Sequence, residues 1–141
     1  MKYHFRIKKE NKGYSAKCIE LEGCVTQADS KKKLEENMKE ALHLYLEEPI
    51  DSKQEFALPE KRASSRNIIA VEVEPGIAFA VLMRNLRLSR GLTQKQAAAR
   101  LGLKNLYSYQ RLESAKANPQ LKTLQKVKQT FPELELEYII S

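Results

Sequence analysis

Between Gly91 and Pro119 the chain gathers side chains suited to a polyanion: Gln94, Lys95, Lys104, Asn105, Tyr107, Ser108, Gln110, Arg111, Lys116 and Asn118, with Thr93 just ahead of them. Amides and guanidinium groups can donate to base edges, hydroxyls and amides to phosphate oxygens, and lysines add salt-dependent attraction. Gln110 and Asn105 are the expected base readers. Arg111 would serve base or phosphate, and Gln94, at a helix start, a phosphate. Lys95, Lys104 and Lys116 would supply affinity. Tyr107 has two readings, a contact to sugar or thymine methyl or an aromatic cap on the fold; Tyr109 reads as core.

These residues need rigid elements under them. Ile77–Arg90 has the apolar spacing of a helix, with Ala78, Leu82, Met83 and Leu86 as its buried stripe and Gly91 as its stop. Thr93 is placed to cap a helix over 94–101. Gly102 turns the chain into a further helix over 105–114, with Leu106, Tyr109 and Leu112 inward. Leu121, Leu124, Val127 and Phe131 predict a fourth helix closing the core.

Charge divides the chain. Residues 1–75 carry 14 Lys+Arg and 14 Asp+Glu, whereas residues 76–141 carry 11 and 4, the whole of the net +7. Only the C-terminal part is set up for phosphates. The run GLTQKQAAARLG, with Arg111, Leu112, Glu113 and then Asn118, Pro119, resembles the lambda-repressor-like (XRE) helix-turn-helix family. Between Gly102 and Glu113 this chain carries one residue more than the commonest spacing. The resemblance implies DNA binding, a homodimer or higher homo-oligomer reading paired half-sites, and an ion pair between Glu113 and Arg87.

The first half alternates. Tyr3, Phe5 and Ile7 against Lys2, His4, Arg6 and Lys8 predict a strand, Gly13 a turn, 14–19 a second strand, and 24–27 a third. Ser30 caps a helix whose stripe is Leu34, Met38, Ala41, Leu42, Tyr45 and Leu46, stopped by Pro49. A polar connection (49–66, with Ala63, Ser64 and Ser65) leads to a strand over 67–74, which could pair across a dimer if it lies at a sheet edge. The expected fold class is an α+β domain, β-β-β-α-β, over 1–75, then an all-α helix-turn-helix domain over 76–141.

The stretch from Gly13 and Tyr14 through LEGCVTQADS (21–30) to ALHLYLE (41–47) resembles the N-terminal domain of HicB antitoxins. It departs from that pattern at Glu22 and Ala28, where proline and glycine are common. The resemblance implies a partial RNase H-like fold without nuclease activity, and a HicA-type toxin protein as partner. Two-metal nuclease chemistry needs converging carboxylates, and the hairpin strands supply none. His4 and His43 read as surface or interface residues; Cys18 and Cys24 read as buried thiols without zinc spacing. No catalytic residues, metal or cofactor are expected. No apolar run reaches the length of a membrane span and no signal peptide is visible, so a cytoplasmic protein with no membrane partner is expected. The leading reading is an antitoxin that neutralises a HicA-type messenger-RNA interferase and represses its own operon. The alternative is a helix-turn-helix regulator with a ligand-sensing N-terminal domain.

Overall fold

A computed structural model describes residues 1–61 and 65–140. The chain divides into two compact units: Met1–Leu46 with Phe56–Glu74, and Glu47–Glu55 with Pro75–Ser141.

The first unit is an antiparallel sheet of β1 (Lys2–Lys9), β2 (Tyr14–Cys18), β3 (Val25–Ala28) and β4 (Ile68–Glu72), in the order β3-β2-β1-β4. Helix α1 (Lys31–Leu46) follows β3. Alternation along β1 sends Tyr3 and Phe5 into the core, and register places Val71 beside Tyr3 and Ala16 beside Ile7 on the same face. Leu34, Met38, Leu42 and Leu46 form the buried stripe of α1, each worth about 1.5–3 kcal/mol of burial. Ser30 starts the helix by accepting the Lys33 N–H at 3.2 Å. The central strand is β1, and β4 is an edge strand.

Two features of this unit depart from the sequence expectation. Within the polar connection, Phe56 is buried and its ring lies 5.6 Å from that of Tyr45, while the Tyr3 hydroxyl donates to the Ala57 carbonyl at 2.7 Å. A single phenylalanine in a polar run has no periodicity to announce it. (Ala63 and Ser64 of that connection lie outside the described residues.) His4 is not a surface residue. It is buried, with Nδ1 2.7 Å from Glu20 Oε2 and its N–H donating to Glu20 Oε1 at 2.9 Å. His43 also has a partner, accepting the Glu74 N–H at Nε2.

The second unit holds α2 (Pro75–Ser89), α3 (Gln94–Arg100), α4 (Leu106–Gln110), a 3₁₀ turn (Arg111–Glu113), α5 (Leu121–Thr130) and α6 (Glu137–Ile140). Pro75 opens α2, where its fixed φ suits a first helical turn. The helix is buried nearly all round, from Ile77 through Arg84 to Leu86 and Arg87, a wider surface than the stripe expected from its spacing. Gly76 lets it pass close to the loop before α5: a Cβ there would sit 2.6 Å from the Ala117 carbonyl oxygen. No helix among the described residues is long and apolar enough to cross a membrane.

Candidate nucleic-acid interface

Helix α3 begins with a reciprocal cap. Thr93 Oγ1 accepts the Gln96 N–H at 3.1 Å, and Gln96 Oε1 accepts the Thr93 N–H at 2.9 Å. This satisfies two of the donors that any helix start leaves open. The expected cap at Thr93 is therefore present, and Gln96 is the partner that the spacing Thr-x-x-Gln could have announced. The Thr93 hydroxyl oxygen thus accepts from the helix, and its O–H is left to donate elsewhere. At the other end Gly102 takes φ +68°, a left-handed conformation that costs a side-chain-bearing residue energy, and the Leu103 N–H returns to the Ala98 carbonyl.

The recognition segment differs from the expected continuous helix over 105–114. Asn105 is outside the helix with extended backbone (φ −151°, ψ 165°) and caps it: Oδ1 accepts the Ser108 N–H at 2.8 Å and the Ser108 hydroxyl at 2.9 Å. Regular α-helix lasts from Leu106 to Gln110 and tightens into the 3₁₀ turn over Arg111–Glu113. The helix therefore starts at Leu106, with Asn105 as its cap. The carbonyl oxygen of Asn105 is occupied, so its NH₂ is the part left to meet a base. Leu106, expected inward, is exposed, because a first-turn side chain tilts back past the helix end where nothing packs.

What fixes this segment is a buried charge cluster. Glu113 is fully buried, and its carboxylate takes Arg87 in a two-pronged grip, Nε to Oε2 at 2.8 Å and Nη2 to Oε1 at 3.0 Å. Arg87 Nη1 also donates to the Leu92 carbonyl at 3.0 Å, tying the loop ahead of α3 to the same point. The ion pair expected from the helix-turn-helix resemblance is present. Sequence reasoning missed its third member, Arg84, buried with Nη2 donating to the Glu113 carbonyl at 3.2 Å. Burial lowers the Arg84 guanidinium pKa, with Glu113 pulling the other way. At Arg87 burial also acts downward, but the hydrogen bond and charge of Glu113 outweigh it and the pKa rises. Tyr109, in the core as expected, is pushed up by burial and then by the Glu113 charge.

The structure sorts the sequence-predicted interface residues into three sets. Gln94 and Gln110 form a pair, Gln110 Nε2 donating to Gln94 Oε1 at 3.1 Å. The Gln94 amide in turn donates to the Ile50 carbonyl at 2.6 Å. The residue expected to face a phosphate freely thus has both ends of its amide engaged, one by a segment far away in sequence. Tyr107, Ser108, Arg111, Lys116 and Asn118 line one groove of about 520 Å³, with Gln120, just ahead of α5, and Thr123 within it as walls that the sequence reading did not include. Tyr107 is 66% exposed, which removes the core-cap reading for it. Lys95 and Lys104 are exposed and do not line that groove. Leu121, expected in the core, is 83% exposed. At about 100° per residue it falls roughly 100° away from the middle of the stripe that Val127 and Phe131 define.

Residues 83–139 match the family model described as helix-turn-helix. The span runs from the second half of α2 to α6 and contains the capped α3, the α4 segment and the arginine–glutamate cluster. No curated protein matches the chain. The second unit thus carries the helix-turn-helix of a DNA-binding regulator.

Proposed function

We propose that the chain is a HicB-type antitoxin that also represses its own operon. The helix-turn-helix would bind operator DNA as a homodimer or higher homo-oligomer, with Gln110 and Arg111 reading bases in the major groove, about 12 Å wide. The sheet unit, read as a partial RNase H-like fold, would hold and neutralise a HicA-type messenger-RNA interferase. It acts by binding alone, without a catalytic step. The observation that carries this reading is that the two stretches bearing the HicB resemblance pack on each other. Tyr45, in the ALHLYLE end of α1, donates its hydroxyl to the carbonyl of Glu22, in the LEGC bend, at 2.6 Å.

The test is co-expression of the full chain with a HicA-type interferase encoded beside it. Rescue of growth and co-purification are expected; a chain that neither rescues nor binds the toxin would sink the assignment. Gln110→Ala with Arg111→Ala should abolish operator binding and leave rescue intact, since both residues belong to the DNA half.

A second reading has one observation in its favour. A pocket of about 300 Å³ in the sheet unit has Ile7, Tyr14, Leu34 and Ile69 as its apolar lining and Lys9, Lys31 and Arg66 among its polar groups. Such a site fits a regulator that senses a small anion. Operator affinity that responds to small carboxylates or phosphates, with no protein partner captured, would favour it.

A further inference from the structure

The sheet of the first unit has two unlike faces. One carries Tyr3, Phe5, Ala16 and Val71 into the core beneath α1. The other follows from the register: Lys2, His4, Arg6 and Lys8 on β1, Ser15 and Lys17 on β2, Val25 and Gln27 on β3, and Ile68, Ala70 and Glu72 on β4. Of these, Lys2, Arg6, Lys8 and Lys17 are exposed. Arg6 stands directly opposite Lys17. Like charges facing each other across strands destabilise a sheet, and among the described residues none of the four cations forms an ion pair. The nearby carboxylates lie at the margins of this cluster, and only one is closed on another side chain's ring. Glu20 is closed on His4, Glu10 accepts the Ser15 hydroxyl, and Glu72 lies at the Lys2 end of the sheet. The zero net charge of residues 1–75 conceals a cluster of cations, Arg6, Lys8 and Lys17, on this face, with Glu72 opposite Lys2 at its edge.

We propose that this open face is a second nucleic-acid surface, one that grips the phosphate backbone of duplex DNA without reading its sequence. The inference rests on the DNA-binding reading of the helix-turn-helix, which keeps a duplex at high effective concentration around the chain. Composition selects the partner. Protein interfaces are poor in lysine at their centre and rely on aromatic anchors, and this face has three lysines and no aromatic side chain. Single-stranded nucleic acid needs aromatic platforms for its bases, and Tyr3, Phe5 and Tyr14 all belong to the other face. Lysine and arginine flanked by Ser15 and Gln27 are the residue types that contact phosphate and sugar. Lys2 to Lys8 spans about 20 Å of strand, close to six base-pair steps at about 3.4 Å each.

The experiment uses the full chain and a fluorescent 30-base-pair duplex of arbitrary sequence, with affinity measured from low to high salt. Replacing Arg6, Lys8 and Lys17 by Gln should flatten the dependence of log K on log salt by about 0.9 for each lost phosphate contact, hence by roughly two to three. An unchanged slope overturns the proposal. So does a slope that falls on single-stranded RNA and not on the duplex, or an unchanged slope accompanied by loss of an acidic protein partner. Arg6→Gln alone relieves the opposition to Lys17, so it is expected to fold at least as well as the native chain and to lower the slope by about one. Gln110→Ala with Arg111→Ala, run in parallel, reports on the helix-turn-helix alone. Failure of that reading appears there as unchanged operator binding, whatever the sheet variants do.

Discussion

Both units bury a carboxylate, and they use it for different purposes. In the sheet unit Glu20 meets the backbone N–H and ring of His4, pinning the bend after β2 to the central strand. In the helical unit Glu113 meets the side chain of Arg87 and, at 3.8 Å, that of Arg84, and so seats the recognition segment on α2. An acid that answers a backbone N–H can be replaced by an amide, which still accepts. An acid that answers two buried guanidinium groups has no neutral substitute, because its loss leaves cations without compensation in a low-dielectric interior. The sheet unit is therefore built to tolerate a change that the helical unit is not.

Glu113→Gln puts the largest strain on that contrast. It should destabilise the helical unit by about 3–5 kcal/mol, the usual consequence of breaking a buried pair from one side. Glu20→Gln should lose about 1 kcal/mol, the scale of one hydrogen bond. Urea unfolding of both full-length variants, followed by backbone amide signals of β1 and of α2, checks the pair. The E113Q transition should shift at α2 and the E20Q transition at β1. Equal losses would end the distinction between the two carboxylates.

Much of the helical unit was legible because its signals are local. Thr93, Gly91, Gly102 and the stripe of Val127 and Phe131 act within a turn or two of where they stand. Arg84 was not legible. It is one more base in a basic stretch, and only the packing around α2 on nearly all sides shows that it is buried. The same reason hid His4, whose alternation points it to the open face while the bend at Glu20 covers it. Long-range closures left no trace either: Phe56 against Tyr45, and the Ile50 carbonyl on Gln94, are set by chain path and not by pattern. Within the candidate interface, the sequence carried no sign of how free its side chains are. Thr93, Gln94, Asn105 and Ser108 hold one another or the backbone as well as facing outward, and spacing carries no sign of that.

Asn105 sharpens the comparison at intermediate size. In the helical unit Ser108 is held in the groove by hydrogen bonds to the Asn105 side chain, whereas no such bond holds the cations of the open sheet face. Asn105→Ala removes the acceptor for the Ser108 N–H and hydroxyl. Loss of such a cap is worth about 0.5–2 kcal/mol, and here it should also loosen Tyr107 and Ser108 in the groove. Operator affinity should fall about 2- to 30-fold if that whole term is taken from the bound form, while the salt slope stays unchanged because no phosphate contact is lost. Fluorescence titration at several salt concentrations separates the two. A changed slope would mean that Asn105 itself neutralises or orients a phosphate contact.

Glu133 supplies the smallest effect and the exposed limit of the series. Its carboxylate grips Arg90 through two hydrogen bonds, Nη2 to Oε2 being 2.9 Å, and the guanidinium lies over the Phe131 ring at 4.9 Å. The hydrogen bond from Arg90 holds the Glu133 pKa below its ordinary 4.5. A carboxyl whose folded pKa is depressed stabilises the fold fully above its unfolded value and loses that contribution as pH falls through the folded value. The difference in melting temperature between the native chain and Glu133→Gln should therefore be small and constant at neutral pH, begin to shrink as pH falls below 4.5, and vanish once pH has passed the lower folded value. It should also shrink with added salt, because water and ions reach this pair. Glu113→Gln should keep its large difference in the same salt series, since screening does not reach a fully buried carboxylate. If the E133Q difference survives high salt as well, exposure is not what ranks these carboxylates, and the packing of Arg90 over Phe131 carries the stability instead.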